Sequence, residues 1–259
     1  MTQTDYSGQD GTATSDRPVG SPVDEDLRAK QPVRIAGMFD AIAHRYDLLN
    51  RLLSFGLDRR WRARAVAALR LKPTDVLVDV CTGTADVALS ALSSPTPPGR
   101  AVGVDFSWEM LRLGLAKARR QRSRTLLLAQ GDATRLPLRD RSADAATIAF
   151  GIRNVQQPDA ACRELARVLR PGGRLAVLEF GLPPSPRFRA LYLWYARRVL
   201  PVIGRVVSRH QSAYAYLPES VGRFPPPEQF GHLLQACGFP HVEVVPLTFG
   251  IVYLYVASR

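Results

Sequence analysis

The sequence predicts a doubly wound α/β sheet, mostly parallel, that ends in an antiparallel hairpin and carries a helical insert. Three observations predict it. Between Asp75 and Phe180 short apolar runs alternate with stretches of helical pattern, and near-continuous apolar strands separated by helices make a parallel sheet covered on both faces. The last two apolar runs, His241 to Leu247 and Ile251 to Ala257, have only Thr248 to Gly250 between them. A parallel crossover needs about a dozen residues, so this pair must be antiparallel. Finally, the segment Gly181 to Pro226 is too long for an ordinary connection and should contain helices.

In chain order, Asp75-Val-Leu-Val-Asp-Val80 reads as a buried strand, followed by a turn of small residues and a helix from about Ala85 to Leu92. Pro95 to Gly99 is a loop, and Ala101-Val-Gly-Val-Asp-Phe106 is the second strand. Ser107 fits the N-cap of the next helix, because its hydroxyl can accept from a free backbone N–H of the first turn. Thr125 to Ala129 and Ala145 to Phe150 are the third and fourth strands. A helix through Ala160 to Leu169 stops at Arg170-Pro-Gly-Gly173, where proline and glycine break it, and Arg174 to Phe180 is the fifth strand. A helix from Pro227 to Cys237 precedes the hairpin.

A chain of 259 residues with 46% hydrophobic content suits one large domain, expected over 31–259, with a helical N-terminal segment at 33–70 and the insert at 181–226. Residues 1–30 are polar, lack the apolar stretch of a signal peptide, and are expected to be a disordered tail. No run approaches the ~18 apolar residues of a spanning helix. Cys81, Cys162 and Cys237 are widely spaced and odd in number, so no metal site is expected, and a cytoplasmic setting with free thiols is. The net charge is +12, carried almost wholly by arginine, since Lys30, Lys72 and Lys117 are the three lysines. Such charge permits nucleic acid or anionic lipid as a partner. No nucleic-acid recognition motif accompanies it, so nucleic acid is not expected. Arg112 to Arg124 is read as a solvated outer helix face.

Three strand-end features form a candidate ligand site. The first strand ends in Asp79-Val-Cys-Thr-Gly-Thr-Ala-Asp86. There Gly83 and its small neighbours let backbone approach a ligand at the switch point of an open sheet. Asp105 closes the second strand, where a carboxylate can accept from both ribose hydroxyls. In Gly131-Asp-Ala-Thr-Arg-Leu-Pro137, Asp132 can take an adenine amino group while Ala133 leaves room for the ring. Together they predict an adenosine-containing cofactor. NAD and S-adenosyl-L-methionine both qualify; the absence of a third loop glycine and the terminal hairpin favour the sulfonium.

Beyond these sites, Met38-Phe-Asp-Ala-Ile-Ala-His-Arg-Tyr-Asp-Leu-Leu-Asn50, Ser54 to Trp61, Ile148-Ala-Phe-Gly-Ile-Arg-Asn154 and Arg167-Val-Leu-Arg-Pro-Gly-Gly-Arg-Leu-Ala-Val-Leu-Glu179 resemble the signatures of the ubiquinone/menaquinone-biosynthesis C-methyltransferase family. Tyr214-Ala-Tyr-Leu-Pro-Glu-Ser220 and Phe224-Pro225 fit it too, and the resemblance runs from about Val33 to Arg259. Asp58 stands where that family usually has histidine, Leu49 where methionine is common, and Gly181 where serine often stands. The resemblance implies a class I, Rossmann-like methyltransferase fold with a seven-stranded sheet. It also implies an enzyme using S-adenosyl-L-methionine to methylate a ring carbon of demethylmenaquinol, the last step of menaquinone biosynthesis. A ubiquinol precursor or another aromatic acceptor is the alternative. Carried over as cofactor contacts are Thr84, Asp105, Asp132 and Ala133, with Ala149 at a place where some members have a contacting serine.

Methyl transfer to an aromatic carbon requires a ring oxygen to push electron density into it, so the reduced quinol is the expected nucleophile, best as its phenolate. Arg153 and Asn154 follow the fourth strand, at the edge where substrate meets cofactor. Arginine has no acceptor and stays charged, so Arg153 is expected to stabilise the oxyanion and Asn154 to orient it. The plainer alternative is that Arg153 ties loops together through carbonyls. Tyr46, Asn50, Tyr214 and Tyr216, with His44 and Asp47, are candidates for the quinone pocket or its lid; His44 and His210 are candidate proton acceptors. Arg187 to Arg209 holds six arginines and no acid, with Phe188, Leu191, Tyr192, Tyr195 and Val199 at helical spacing. With Trp194 it is expected either to pack on the core or to lie on an anionic membrane as a peripheral contact.

Overall fold

The computed structural model describes residues 32–207 and 211–259; the expected tail lies outside them. Helices α1 (Pro32–Leu53) and α2 (Leu57–Ala68) precede β1 (Val76–Val80), α3 (Asp86–Leu92), β2 (Arg100–Asp105), α4 (Trp108–Arg120), β3 (Leu126–Gln130) and β4 (Ala143–Ala149). After a short 3-10 turn, Ile152–Asn154, come α5 (Pro158–Val168), β5 (Leu169–Phe180), α6 (Pro186–Val207), α7 (Gln211–Arg223), α8 (Pro227–Ala236), β6 (His241–Leu247) and β7 (Val252–Ser258). The seven strands lie in the order β3-β2-β1-β4-β5-β7-β6. The first five strands pair in parallel, and β7 runs antiparallel between β5 and β6. The expected hairpin is therefore present, with β7 inserted beside β5.

Period-two alternation divides the core between the two faces of the sheet. Val78, Ile148, Val177 and Tyr255 meet Leu165 of α5 and Phe230 of α8 on one face. Leu77, Leu178 and Leu254 meet Trp61 and Ala65 of α2 and Ala88 of α3 on the other. Ser107 caps α4, its Oγ accepting from Met110 N at 3.1 Å, as the sequence predicts.

One boundary differs from expectation. Helix α5 ends at Val168 and β5 already begins at Leu169, so Pro171-Gly172-Gly173 forms a bulge inside the strand. Leu169 pairs with Ala143 and Arg174 with Ala145, which leaves extra residues on β5. The chain end holds them: Gly172, at φ 77°, donates its N–H to Arg259 O at 2.8 Å, and Arg259 N donates to Gly173 O at 3.0 Å. Glycine there supplies the positive φ that such a bulge requires. The insert is helical as expected, α6 and α7 packing on each other and on α1 beyond the carboxyl ends of the strands.

Candidate active site

The loop after β1 departs repeatedly from ordinary backbone. Cys81, Gly83 and Ala85 have φ of 52°, 57° and 63°, costly for the two non-glycine residues and free for Gly83. A Cβ on Gly83 would project into open space, so its backbone faces the cavity beyond. Under this loop Asp79 is 1% exposed and accepts from Thr82 Oγ1 and Thr147 Oγ1, both at 2.6 Å. Burial pushes its carboxyl up to about 6.

That shift has a measurable sign. An unfolded aspartate ionises near pH ~3.9. Between about pH 4 and pH 6 the folded chain keeps a proton that the unfolded chain has lost, so Asp79 lowers stability as pH rises through that window. Asn fits between two hydroxyls that can each donate or accept. The stability advantage of Asp79→Asn over the native chain is therefore expected to grow by about 3 kcal/mol from pH 4 to 6 and stay level above it. Urea unfolding of both chains at stepped pH measures this; an advantage independent of pH refutes it.

Asp105 at the end of β2 accepts Gly83 N at 2.7 Å on Oδ2 and Ser107 N at 2.9 Å on Oδ1. Burial raises its pKa, and these N–H donors oppose the rise. Asp132 accepts Thr134 N at 2.8 Å. Together with Gly83, Ala133, Ala149 and Asn154 they line a cavity of about 250 Å³, closed on one side by Ile35, Phe39 and Tyr46 of α1. The Oδ1 of Asn154 is buried there without a hydrogen-bond partner among the described residues, an acceptor left for a ligand.

A second, larger chamber of about 440 Å³ lies beside the first, lined by Asn50, Trp61, Arg153, Phe180, Tyr192 and Tyr216 among others. Its floor is aromatic: Phe150 and Phe180 lie 4.6 Å apart, and Trp61 is 6.1 Å from Phe150. Phe39, Tyr46 and Phe150 line both chambers, so they form the boundary at which two ligands would meet. Tyr46 hydrogen-bonds with Asn50, and burial raises its pKa, so it stays a neutral phenol that can donate a proton in a hydrogen bond.

Arg153 is 7% exposed and Glu179 is fully buried. Arg153 Nη1 lies 2.9 Å from Glu179 Oε1 and also donates to the Phe150 carbonyl, while Nε reaches Ser220 Oγ at 3.4 Å. The guanidinium stacks 5.4 Å over the Phe180 ring. The loop-tying alternative thus describes part of what Arg153 does, on a side chain that also lines the apolar chamber.

Helix α1 is fastened over the cofactor-sized cavity by polar contacts. Asp40 accepts from Ser107 Oγ. Lys117 of α4 bridges Asp47 of α1 and Asp86 of α3, each at 2.5 Å. Thr84 Oγ1 accepts from Lys117 and donates to Asp47 Oδ1, both at 2.7 Å. Arg62 of α2 extends the network to Asp86 at 2.5 Å and Asp58 at 3.0 Å.

Several expectations need correcting against this geometry. Thr84 lines neither chamber; the left-handed loop turns its hydroxyl toward α1 and α4. Asp47 belongs to the same network and lines neither chamber. His44 is exposed, with Nε2 3.4 Å from Arg112 on the outside of the molecule. Lys117 does not share the solvated face expected of its helix. Tyr216 lines the apolar chamber, its hydroxyl buried without a partner among the described residues. The Tyr214 side chain and His210 lie outside the described residues. Sequence reasoning missed Glu179 and Lys117; the signal for Glu179 was a lone acid within the apolar run of β5.

The sheet order, the terminal antiparallel strand and the cavity at the carboxyl ends of β1, β2 and β4 define a class I S-adenosylmethionine-dependent methyltransferase. A Thermotoga maritima structure described as a "SAM-dependent methyltransferase, possible histamine N-methyltransferase" shares the fold at TM-score 0.59 and 20% identity, over 86% of this chain and 98% of that one. A Haloferax volcanii putative methyltransferase, solved with its Trm112 activator, gives 0.60 at 19%, over 85% and 96%. The ubiE/COQ5 methyltransferase family matches residues 27–259. A Syntrophotalea carbinolica protein named "Ubiquinone/menaquinone biosynthesis C-methyltransferase UbiE" is 48% identical over 92% of this chain and 98% of its own. A Thermus thermophilus "Demethylmenaquinone methyltransferase" is 47% identical over 86% and 100%. The chain belongs to the ubiE/COQ5 methyltransferase family, and its cofactor is S-adenosyl-L-methionine.

Proposed function

We propose that this enzyme methylates a ring carbon of demethylmenaquinol, yielding menaquinol and S-adenosylhomocysteine. The observation that carries the proposal is the junction of two unlike chambers at Tyr46 and Phe150. One has carboxylates at the strand ends suited to ribose and adenine; the other is apolar, aromatic and large enough for a fused ring with the start of an isoprenoid chain. The names of the Thermus relative above and of a Deinococcus radiodurans "Demethylmenaquinone methyltransferase", 44% identical over 96% of this chain and 99% of its own, support menaquinone as the product.

The cofactor fits the first chamber on the chemistry of its lining. Asp105 would hold the ribose hydroxyls, Asp132 the adenine amino group, and Gly83 and Ala133 leave room for close approach. Bound there, it supplies an electrophilic methyl group. The rest falls to the protein. Arg153, fixed by Glu179 and Phe150, presents a positive charge to a quinol oxygen in the apolar chamber and so favours its anion. Asn154 offers its unpartnered Oδ1 on the cofactor side, and neutral Tyr46, which lines both chambers, donates to the ring oxygen. As the carbon–carbon bond forms, the hydrogen on that carbon leaves as a proton. The protein works as a peripheral visitor to the inner face of the membrane that holds its substrate.

The test is transfer of a labelled methyl group to short-chain demethylmenaquinone with and without a reductant. Label in the quinone only under reducing conditions is expected. Tight S-adenosylhomocysteine binding without any transfer would move the reading to another aromatic acceptor.

A further inference from the structure

The rim of the apolar chamber carries side chains that the chemistry above does not use. Phe55 is 79% exposed and Phe249 80% exposed. Both sit in left-handed backbone, at φ 51° and 58°. Their neighbours share it: Gly56 at 76°, Thr248 at 47° and Gly250 at 84°. A bulky residue there is strained, where Gly or Asn would be relaxed. Two turns from distant parts of the chain thus each hold a phenyl ring in solvent by strained backbone.

Both turns reach the same opening. Phe55 lines the chamber and lies 6.3 Å from the Tyr195 ring, and Phe249 packs 5.4 Å from Phe188. On α6, Leu191 and Trp194 are more than half exposed, and on α1 exposed Leu48 and Leu52 lead at helical spacing toward Phe55. Monomers rarely leave so many large apolar side chains together without a use. The surrounding charge has one sign. Arg51, Arg59, Arg60, Arg187 and Arg198 are exposed, α6 contains no acid, and Asp58 is buried against Arg62.

We propose that this rim docks on an anionic lipid bilayer, Phe55, Leu191, Trp194 and Phe249 entering the interface and the arginines meeting acidic headgroups. The inference rests on the isoprenoid-quinol reading, because docking this rim opens the chamber directly to the phase that holds the tail. Aromatic side chains flanked by arginine match the apolar-to-charged gradient at a bilayer surface.

The test is flotation of the full chain with phosphatidylcholine vesicles containing phosphatidylglycerol, with Trp194 fluorescence read against lipids brominated in the acyl chain. The native chain should float with the anionic vesicles and lose Trp194 emission, and Trp194→Phe should abolish the quenching of that component. Phe249→Asn removes the ring while suiting the left-handed backbone, so its Tm should hold or rise. It should lower the partition coefficient about tenfold and leave transfer to a water-soluble short-chain quinol unchanged, since Phe249 lines neither chamber. Arg59→Gln with Arg187→Gln should remove most of the salt-sensitive binding. No flotation of the native chain, as expected if the rim binds a soluble protein, overturns the proposal. So does flotation that salt abolishes and Phe249→Asn leaves unchanged. Phe249-dependent flotation of a chain that methylates no quinol would sustain the docking and refute the substrate reading instead.

Discussion

Arg153→Met is expected to reduce methyl transfer about 10³-fold and to cost about 3–5 kcal/mol of folding stability. The two losses have different origins. Stability falls because Glu179, fully buried in β5, loses the cation that neutralises it; a buried charge without its partner is among the most costly defects in a protein interior. The Phe150 carbonyl and Ser220 hydroxyl lose a donor as well. Activity falls because the apolar chamber loses the guanidinium that is fastened to the Phe150 carbonyl and stacked over Phe180.

A second substitution separates these origins. Adding Glu179→Gln to Arg153→Met removes the orphaned charge and keeps one amide oxygen. That oxygen can accept from the N–H of position 153 or of Phe180 but not from both, since in the native chain each donates to a different carboxylate oxygen. The double variant should regain part of the lost stability, one buried N–H without an acceptor still costing about 1–3 kcal/mol, and stay inactive. S-adenosylhomocysteine affinity should be unchanged in both variants, because Arg153 does not line the cofactor chamber. If the double variant regains transfer along with stability, Arg153 only ties the loops together and the oxyanion role is wrong.

Most of the sheet was legible because its signals are local. Apolar runs mark β1 to β5, the three residues between the last two strands force an antiparallel pair, and Ser107 precedes its helix as a cap should. That Asp105 and Asp132 line the cavity at the sheet edge was legible for the same reason, since the end of a strand at a switch point fixes where a side chain goes. The parts that were not legible depend on contacts distant in sequence. Thr84 looked like a cofactor contact, but the left-handed backbone at Gly83 and Ala85 turns its hydroxyl to Asp47 and Lys117, separated from it by 37 and 33 positions. Lys117 sits among arginines on a helix whose pattern reads as solvated, and only the packing of α1 on α4 turns it inward. His44 fell on the outer face of α1 for the same reason. The bulge in β5 needed the chain terminus to hold it, which no local reading of Pro-Gly-Gly supplies. Neither chamber is written in any single segment; Tyr46 joins them because α1 crosses the carboxyl ends of strands that follow it in sequence.

Asp105→Asn should weaken S-adenosylhomocysteine binding about 100-fold while changing the turnover number little. The substitution conserves shape but reverses half of the hydrogen bonding. The native carboxylate accepts from both Gly83 N and Ser107 N and still has lone pairs for a ribose diol. An asparagine amide has one oxygen to accept with, so its NH2 confronts either a backbone N–H or a ribose hydroxyl. Each charge-assisted bond lost is worth about 1.5–3 kcal/mol, and the diol shares that loss with the loop. Because the ribose lies away from the reacting methyl group, the interaction is the same in ground and transition states, and the loss appears in cofactor KM rather than kcat. Its pH dependence gives a second, independent readout. Burial raises the Asp105 pKa, and only the carboxylate can accept two ribose hydroxyls. Native affinity should therefore decline as pH falls toward that raised value, while the asparagine variant shows no such decline. Calorimetric titration at stepped pH would record both curves; parallel curves would mean that Asp105 orders the Gly83 loop without touching the ribose.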